Sequence, residues 1–102
     1  MPEILIYQTK DKESPFEDWL DSFSDINTKA RILQRIDRIE LGNFGGCEPV
    51  GDGVHELRID YGPGYRIYFG NDGKLFVILL CGGTKKRQEK DIKKSQRVLA
   101  RL

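Results

Sequence analysis

The stretch V-H-E-L-R-I-D-Y-G-P-G-Y-R-I-Y-F (54–69) decides the fold. On one side of Gly62-Pro63-Gly64, His55, Leu57 and Ile59 alternate with Glu56, Arg58 and Asp60; on the other, Tyr65, Ile67 and Phe69 alternate with Arg66 and Tyr68. Two period-two segments around a Gly/Pro turn predict an antiparallel hairpin. A second turn, Asn71-Asp72-Gly73, leads to L-F-V-I-L-L-C (75–81). That run does not alternate, so it predicts a central strand covered on both faces, with flanking strands that face water on one side.

Outward from this meander, E-I-L-I-Y-Q (3–8) predicts a first strand. Ser14-Pro15-Phe16-Glu17 is a capping box with proline preset at the first helical position, opening a short helix to about Phe23. Asp25 caps a longer helix in which Ile26, Ala30, Leu33, Ile36 and Ile39 recur, until Gly42 and Gly45-Gly46 stop it. These two helices predict an antiparallel helical hairpin, and Trp19 and Phe23, i and i+4 on the first, read as core or partner-contact aromatics. Residues 88–102 carry Ile92, Ser95, Val98 or Leu99, and Leu102 on one stripe of a C-terminal helix. The expected fold class is α+β, in the order β-α-α-β-β-β-α: an antiparallel sheet packed against a helical hairpin, with a C-terminal helix, in a single domain spanning 1–102.

Formal charge is +1, but residues 85–102 hold eight bases against two acids, a net of +6, leaving −5 for residues 1–84. This asymmetry predicts a basic working face on an acidic body. Cys47 and Cys81 form no C-x-x-C, and His55 is the single histidine, on the face of Leu57 and Ile59. No metal site and no cofactor are expected. The longest apolar run is seven residues, so the chain is expected to be soluble and cytoplasmic, without a membrane partner.

By alternation, Arg58, Arg66 and Tyr68 are expected on a concave polar sheet face, with Lys85, Lys86, Arg87 and Gln88 brought to its rim by the end of the last strand. Cationic donors for phosphate beside an aromatic surface for a base suit single-stranded RNA. Arg66, Lys85, Lys86 and Tyr68, with Arg58, Arg87, Gln88 and Tyr65, are the candidates for contact with RNA and phosphate. The plainer reading is a solvated or cross-strand-paired face, with Glu56 or Asp60 neutralising Arg66. Arg31, Arg35 and Arg38 make a further basic stripe, within reach of Asp37 and Glu40.

The stretches F-E-D-W-L (16–20), A-R-I-L-Q-R-I-D-R-I-E-L-G-N-F-G (30–45), G-V-H-E-L-R-I (53–59), G-P-G-Y-R-I-Y-F (62–69) and L-L-C-G-G-T-K-K-R-Q-E-K-D-I (79–92) resemble, in order and spacing, the RelE/ParE superfamily of toxins, most closely HigB-like addiction-module killer proteins. The resemblance implies the toxin of a type II toxin–antitoxin module: a metal-free endoribonuclease that cleaves messenger RNA, commonly on the ribosome, through the substrate's own 2′-hydroxyl to a 2′,3′-cyclic phosphate. Arg66 then looks like the family's central phosphate-binding arginine, Lys85 or Lys86 like its second basic catalytic position, and Arg58 like an organising basic residue; Tyr68 is the aromatic candidate. Residues 88–102 lack the Tyr or His that several members place there as acid or base. The implied partners are a HigA-like helix-turn-helix antitoxin, in a toxin–antitoxin heterotetramer, and messenger RNA with the ribosome. The alternative is a non-enzymatic ParE-like gyrase inhibitor, or a ribosome- or antitoxin-binding module. On the open-face reading, Arg66→Ala abolishes cleavage and leaves the thermal midpoint nearly unchanged.

Overall fold

Side-chain caps set where the first two helices begin. Ser14 Oγ accepts the Glu17 N–H at 3.1 Å, and Asp25 accepts from Asn27 N at 3.0 Å and from Thr28 Oγ1 at 2.8 Å, satisfying donors that have no partner inside the helix. The computed structural model describes residues 1–73 and 75–102. Its elements are β1 (Glu3–Ile6), α1 (Pro15–Asp21), α2 (Ile26–Glu40), β2 (Cys47–Gly51), β3 (Val54–Ile59), β4 (Tyr65–Asn71), β5 (Phe76–Thr84), a 3-10 turn (Lys85–Arg87) and α3 (Gln88–Ala100). The sheet order is β1-β5-β4-β3-β2.

Three expectations are corrected here. The sheet is mixed rather than antiparallel, because β1 pairs with β5 in parallel. It also has a strand the sequence pattern hid: β2 pairs with β3 through the two-residue turn Asp52-Gly53, both at positive φ (55° and 81°), the geometry that matches strand twist in a tight hairpin. Gly45, Gly46, Pro49 and Gly51 break any strand pattern there, and Pro49 is tolerated because β2 is an edge. On α2 the buried line is Thr28, Ile32, Ile36 and Ile39, while Ile26 and Leu33 are exposed. Asp25 satisfies the Thr28 hydroxyl, which lets a polar residue stand in the buried stripe.

The sheet is covered on both faces. Under α1 and α2, Phe16, Ile32, Ile36, Ile39, Leu57, Ile67, Phe69, Val77 and Leu79 form the larger core, with Trp19 and Phe23 packed against it. His55 stacks on Phe69 at 5.4 Å. Beneath α3, a smaller cluster joins Val54, Tyr68, Leu80 and Cys81 to Ile78, Ile92, Val98 and Leu99. A register shift pairs Tyr68 with Cys81 and Phe69 with Leu79, so Leu80 is the extra residue of a bulge and lies with Cys81 in the α3 cluster. Two glycines just past the bulge let helices close in from opposite sides. A Cβ on Gly82 would overlap the Trp19 ring of α1, and a Cβ on Gly83 would overlap Asp91 Oδ2 of α3.

Candidate functional site

The β3–β4 register sets Arg58 opposite Arg66 and Glu56 opposite Tyr68. All four stand on the face over which α3 lies. Glu56 is 1% exposed. Its Oε1 is 3.6 Å from Arg58 Nε and 3.7 Å from Arg66 Nε, and its Oε2 accepts from Gln88 Nε2 at 2.8 Å. Arg66, 7% exposed, also donates from Nη1 to the Tyr65 carbonyl at 3.2 Å. Charges this far from water persist only when paired. The outer guanidinium, Arg58, reaches on to Glu48 of β2 at 2.9 Å.

The expected open polar face is therefore corrected: α3 covers it. The apolar stripe of α3 needs a sheet face to bury itself, and α1 and α2 already occupy the other one. Tyr68 has no exposed surface, and burial together with Glu56 and Asp91 raises its pKa. Tyr65 is likewise corrected as an RNA ligand: its ring points into the larger core, edge-on to Trp19 at 6.1 Å and Phe23 at 5.2 Å.

Deeper under α3, Asp91 is buried in the space left by Gly83. Burial raises its pKa, against the opposing pull of Arg87, whose Nε is 3.9 Å away, and of Lys94. Cys81 Sγ and Ser95 Oγ lie 3.3 Å apart. Arg66 Nε, Tyr68 Oη and Asp91 Oδ2 are buried without hydrogen-bond partners among the described residues. The small interior beneath α3 is thus polar and under-satisfied.

The solvent-facing part of the site is a cleft of about 380 Å³ at one end of the sheet, lined by Asp60, Tyr61, Gly62, Pro63, Gly64, Arg66 and Lys85. It forms because the Lys85 N–H donates to the Gly64 carbonyl at 3.2 Å, tying the 3-10 turn to the β3–β4 connection. Arg66 and Lys85 are thereby brought together. Lys86 and Arg87 are exposed on the same turn, Arg87 directed to Asp91, and Gln88 is engaged with Glu56. Sequence reasoning passed over Tyr61 and gave Asp60 no role beyond pairing with Arg66. Both follow Ile59 at the mouth of the Gly-Pro-Gly turn, a position where side chains meet solvent. Also unforeseen is a larger cleft of about 630 Å³, lined by Lys10 together with Lys94 and Arg97 of α3, Arg101 just beyond it, and Tyr7 and Val98.

Fold and site together define a small α+β protein in which a mixed sheet and the turn that follows it bring an arginine and a lysine to one open cleft. The chain belongs to the family described as Phage derived protein Gp49-like (DUF891), whose model matches residues 18–102. An "Uncharacterized protein" of Haemophilus influenzae is 49% identical over 81 residues, 79% of this chain and 82% of its own length. Among the described residues no helix is long and apolar enough to cross a membrane.

Proposed function

We propose that this chain is the toxin of a type II toxin–antitoxin module and acts as an endoribonuclease on messenger RNA, probed best on translating ribosomes. The observation that carries the reading is the convergence of Arg66 and Lys85 on one open cleft, from strand and turn positions 19 residues apart in sequence. The resemblance to RelE/ParE and HigB-like toxins supports it.

The chemistry asked of the cleft is transesterification. The 2′-oxygen loses its proton and bonds to phosphorus, the P–O5′ bond breaks, and the departing 5′-oxygen takes a proton, leaving a 2′,3′-cyclic phosphate. Charge accumulates on the non-bridging oxygens, where Arg66 and Lys85 would stabilise it without a metal. The Tyr65 carbonyl, which accepts from Nη1, and the Glu56 carboxylate, 3.7 Å from Nε, hold the Arg66 guanidinium in place. A binding module that does not cleave is the second reading, favoured by that same Glu56, which already neutralises part of the Arg66 charge.

Primer extension on a defined messenger RNA, with and without translating ribosomes, separates the two. Cuts with wild type that vanish with Lys85→Ala support the ribonuclease; association with ribosomes or RNA without cuts supports the binding module. A HigA-like antitoxin co-expressed with the chain should suppress either effect.

A further inference from the structure

Tyr61 connects the Arg66–Lys85 cleft to the surface of α2 by lining clefts on both sides. Tyr61 lines that cleft and two smaller ones beside it, of about 290 Å³ with Asn27, Ala30, Arg31 and Gln34, and about 150 Å³ with Arg31, Arg35 and Arg38. Its half-buried ring packs its base against the larger core, and the Arg31 guanidinium carbon sits 4.9 Å from the ring centroid. The ring is held by its own backbone as well, since Tyr61 N donates to the Ile59 carbonyl at 3.0 Å and its carbonyl accepts from Gly64 N at 3.1 Å.

The three arginines of α2 are not equivalent. Arg35 is spent on structure, donating to the carbonyls of Arg58 at 3.0 Å and Gly45 at 2.9 Å. Arg31 and Arg38 are exposed on the cleft side. Two cationic stations, Arg66 with Lys85 and Arg31 with Arg38, thus flank one aromatic ring. Between them stands a single carboxylate, Asp60, which lines both the first cleft and the one on α2. Asp60 repels a phosphate at that midpoint and accepts hydrogen bonds from a ribose hydroxyl or a base amine.

We infer that Tyr61 is the stacking platform for a nucleobase adjoining the phosphate held by Arg66 and Lys85, and that the strand continues over α2 with its next phosphates on Arg31 and Arg38. The inference rests on the ribonuclease reading and adds to it the path of the substrate. The order cation, ring with carboxylate, cation matches the order phosphate, nucleoside, phosphate of a single strand. Stacking on an aromatic ring tolerates every base, so this element sets grip and register rather than sequence choice. Arg31 above the ring either shares the base between guanidinium and phenol or swings to the phosphate when the base arrives.

The test uses the intact chain and a short single-stranded RNA carrying a fluorescent adenine analogue. Wild type should bind it with a change in the analogue's emission that reports stacking. Tyr61→Phe should retain both. Tyr61→Leu, which keeps an apolar side chain against the core, should lose the emission change and weaken binding by roughly tenfold or more. Because Tyr61 is half-buried, the exposed variants Arg31→Gln and Arg38→Gln provide an independent reading: each should lower the salt dependence of binding by nearly one phosphate's worth. If wild type cuts RNA, unchanged emission, affinity and salt slope in all these variants overturn the path and leave the ribonuclease reading standing; if it binds without cutting, the same result overturns the path and favours the binding module. Wild type that neither binds nor cuts RNA, free or on ribosomes, overturns the ribonuclease reading and the path with it.

Discussion

The two faces of the sheet solve different problems. Under α1 and α2 the core is built from aliphatic and aromatic side chains. Under α3, Glu56, Arg66, Asp91 and Ser95 are buried beside the smaller apolar cluster, and three polar atoms lack hydrogen-bond partners among the described residues. The first face supplies stability through area removed from water. The second keeps paired charges in a poorly hydrated setting at some energetic cost. A protein with one apolar core would have no reason to keep a carboxylate at 1% exposure in its other layer.

The largest effect is expected on the charged face. Glu56→Ala leaves Arg66 buried with its main counter-charge gone and should cost about 3–5 kcal/mol in urea unfolding; a loss below about 1 kcal/mol would mean that water already reaches Arg66. This also revises the expectation for Arg66→Ala, which takes away the buried counter-charge of Glu56 and leaves it with Arg58 and Gln88, and should lower the thermal midpoint as well as activity. Arg66→Lys is the cleaner activity variant, since it keeps the charge and loses the planar fork.

On the apolar face Ile67→Ala should cost about 2–5 kcal/mol by cavity formation and leave activity per folded molecule unchanged. Reduced activity per folded molecule would blur the division between the faces. Arg35→Ala removes two hydrogen bonds that tie α2 to β3 and to the Gly45 loop, and should cost about 1–2 kcal/mol.

The smallest effect is a pH dependence. Burial holds the Asp91 carboxyl above its ordinary 3.8, so the folded chain binds a proton that the unfolded chain releases. The stability from that protonated form is present at acid pH and is lost as pH rises from 3.8 through the raised value. Asp91→Asn should flatten thermal midpoint against pH over that interval and raise it at neutral pH; an unchanged profile would show that Arg87 and Lys94 fully offset the burial.

Much of the fold was legible because local signals and tertiary demand agree. The hairpin over 54–69 carries period two and a turn, and Ser14 and Asp25 mark helix starts that the chain uses. β2 was hidden because an edge strand tolerates glycine and proline, though Asp52-Gly53 is itself a hairpin signal. Alternation grouped Arg58, Arg66 and Tyr68 on one face correctly but could not say that α3 covers it; that follows from asking where the stripe of Ile92, Val98 and Leu99 goes. The pairing of Gly83 with Asp91 joins a strand to a helix by steric fit, which no spacing in the sequence encodes. Lys85 was found as part of a basic run. Its selection over Lys86 comes from one backbone hydrogen bond to Gly64.

On the ribonuclease reading proposed above, the rim of the charged face cuts RNA. Its most direct test is the rate and end chemistry of cleavage of a labelled messenger RNA in single turnover, comparing wild type with folded Arg66→Lys, both with free RNA in chelator and on ribosomes. The account predicts wild-type cuts ending in 2′,3′-cyclic phosphate and a rate about a hundredfold or more lower for Arg66→Lys at an intact thermal midpoint. No cuts under either condition, or equal rates for the two proteins, would contradict it.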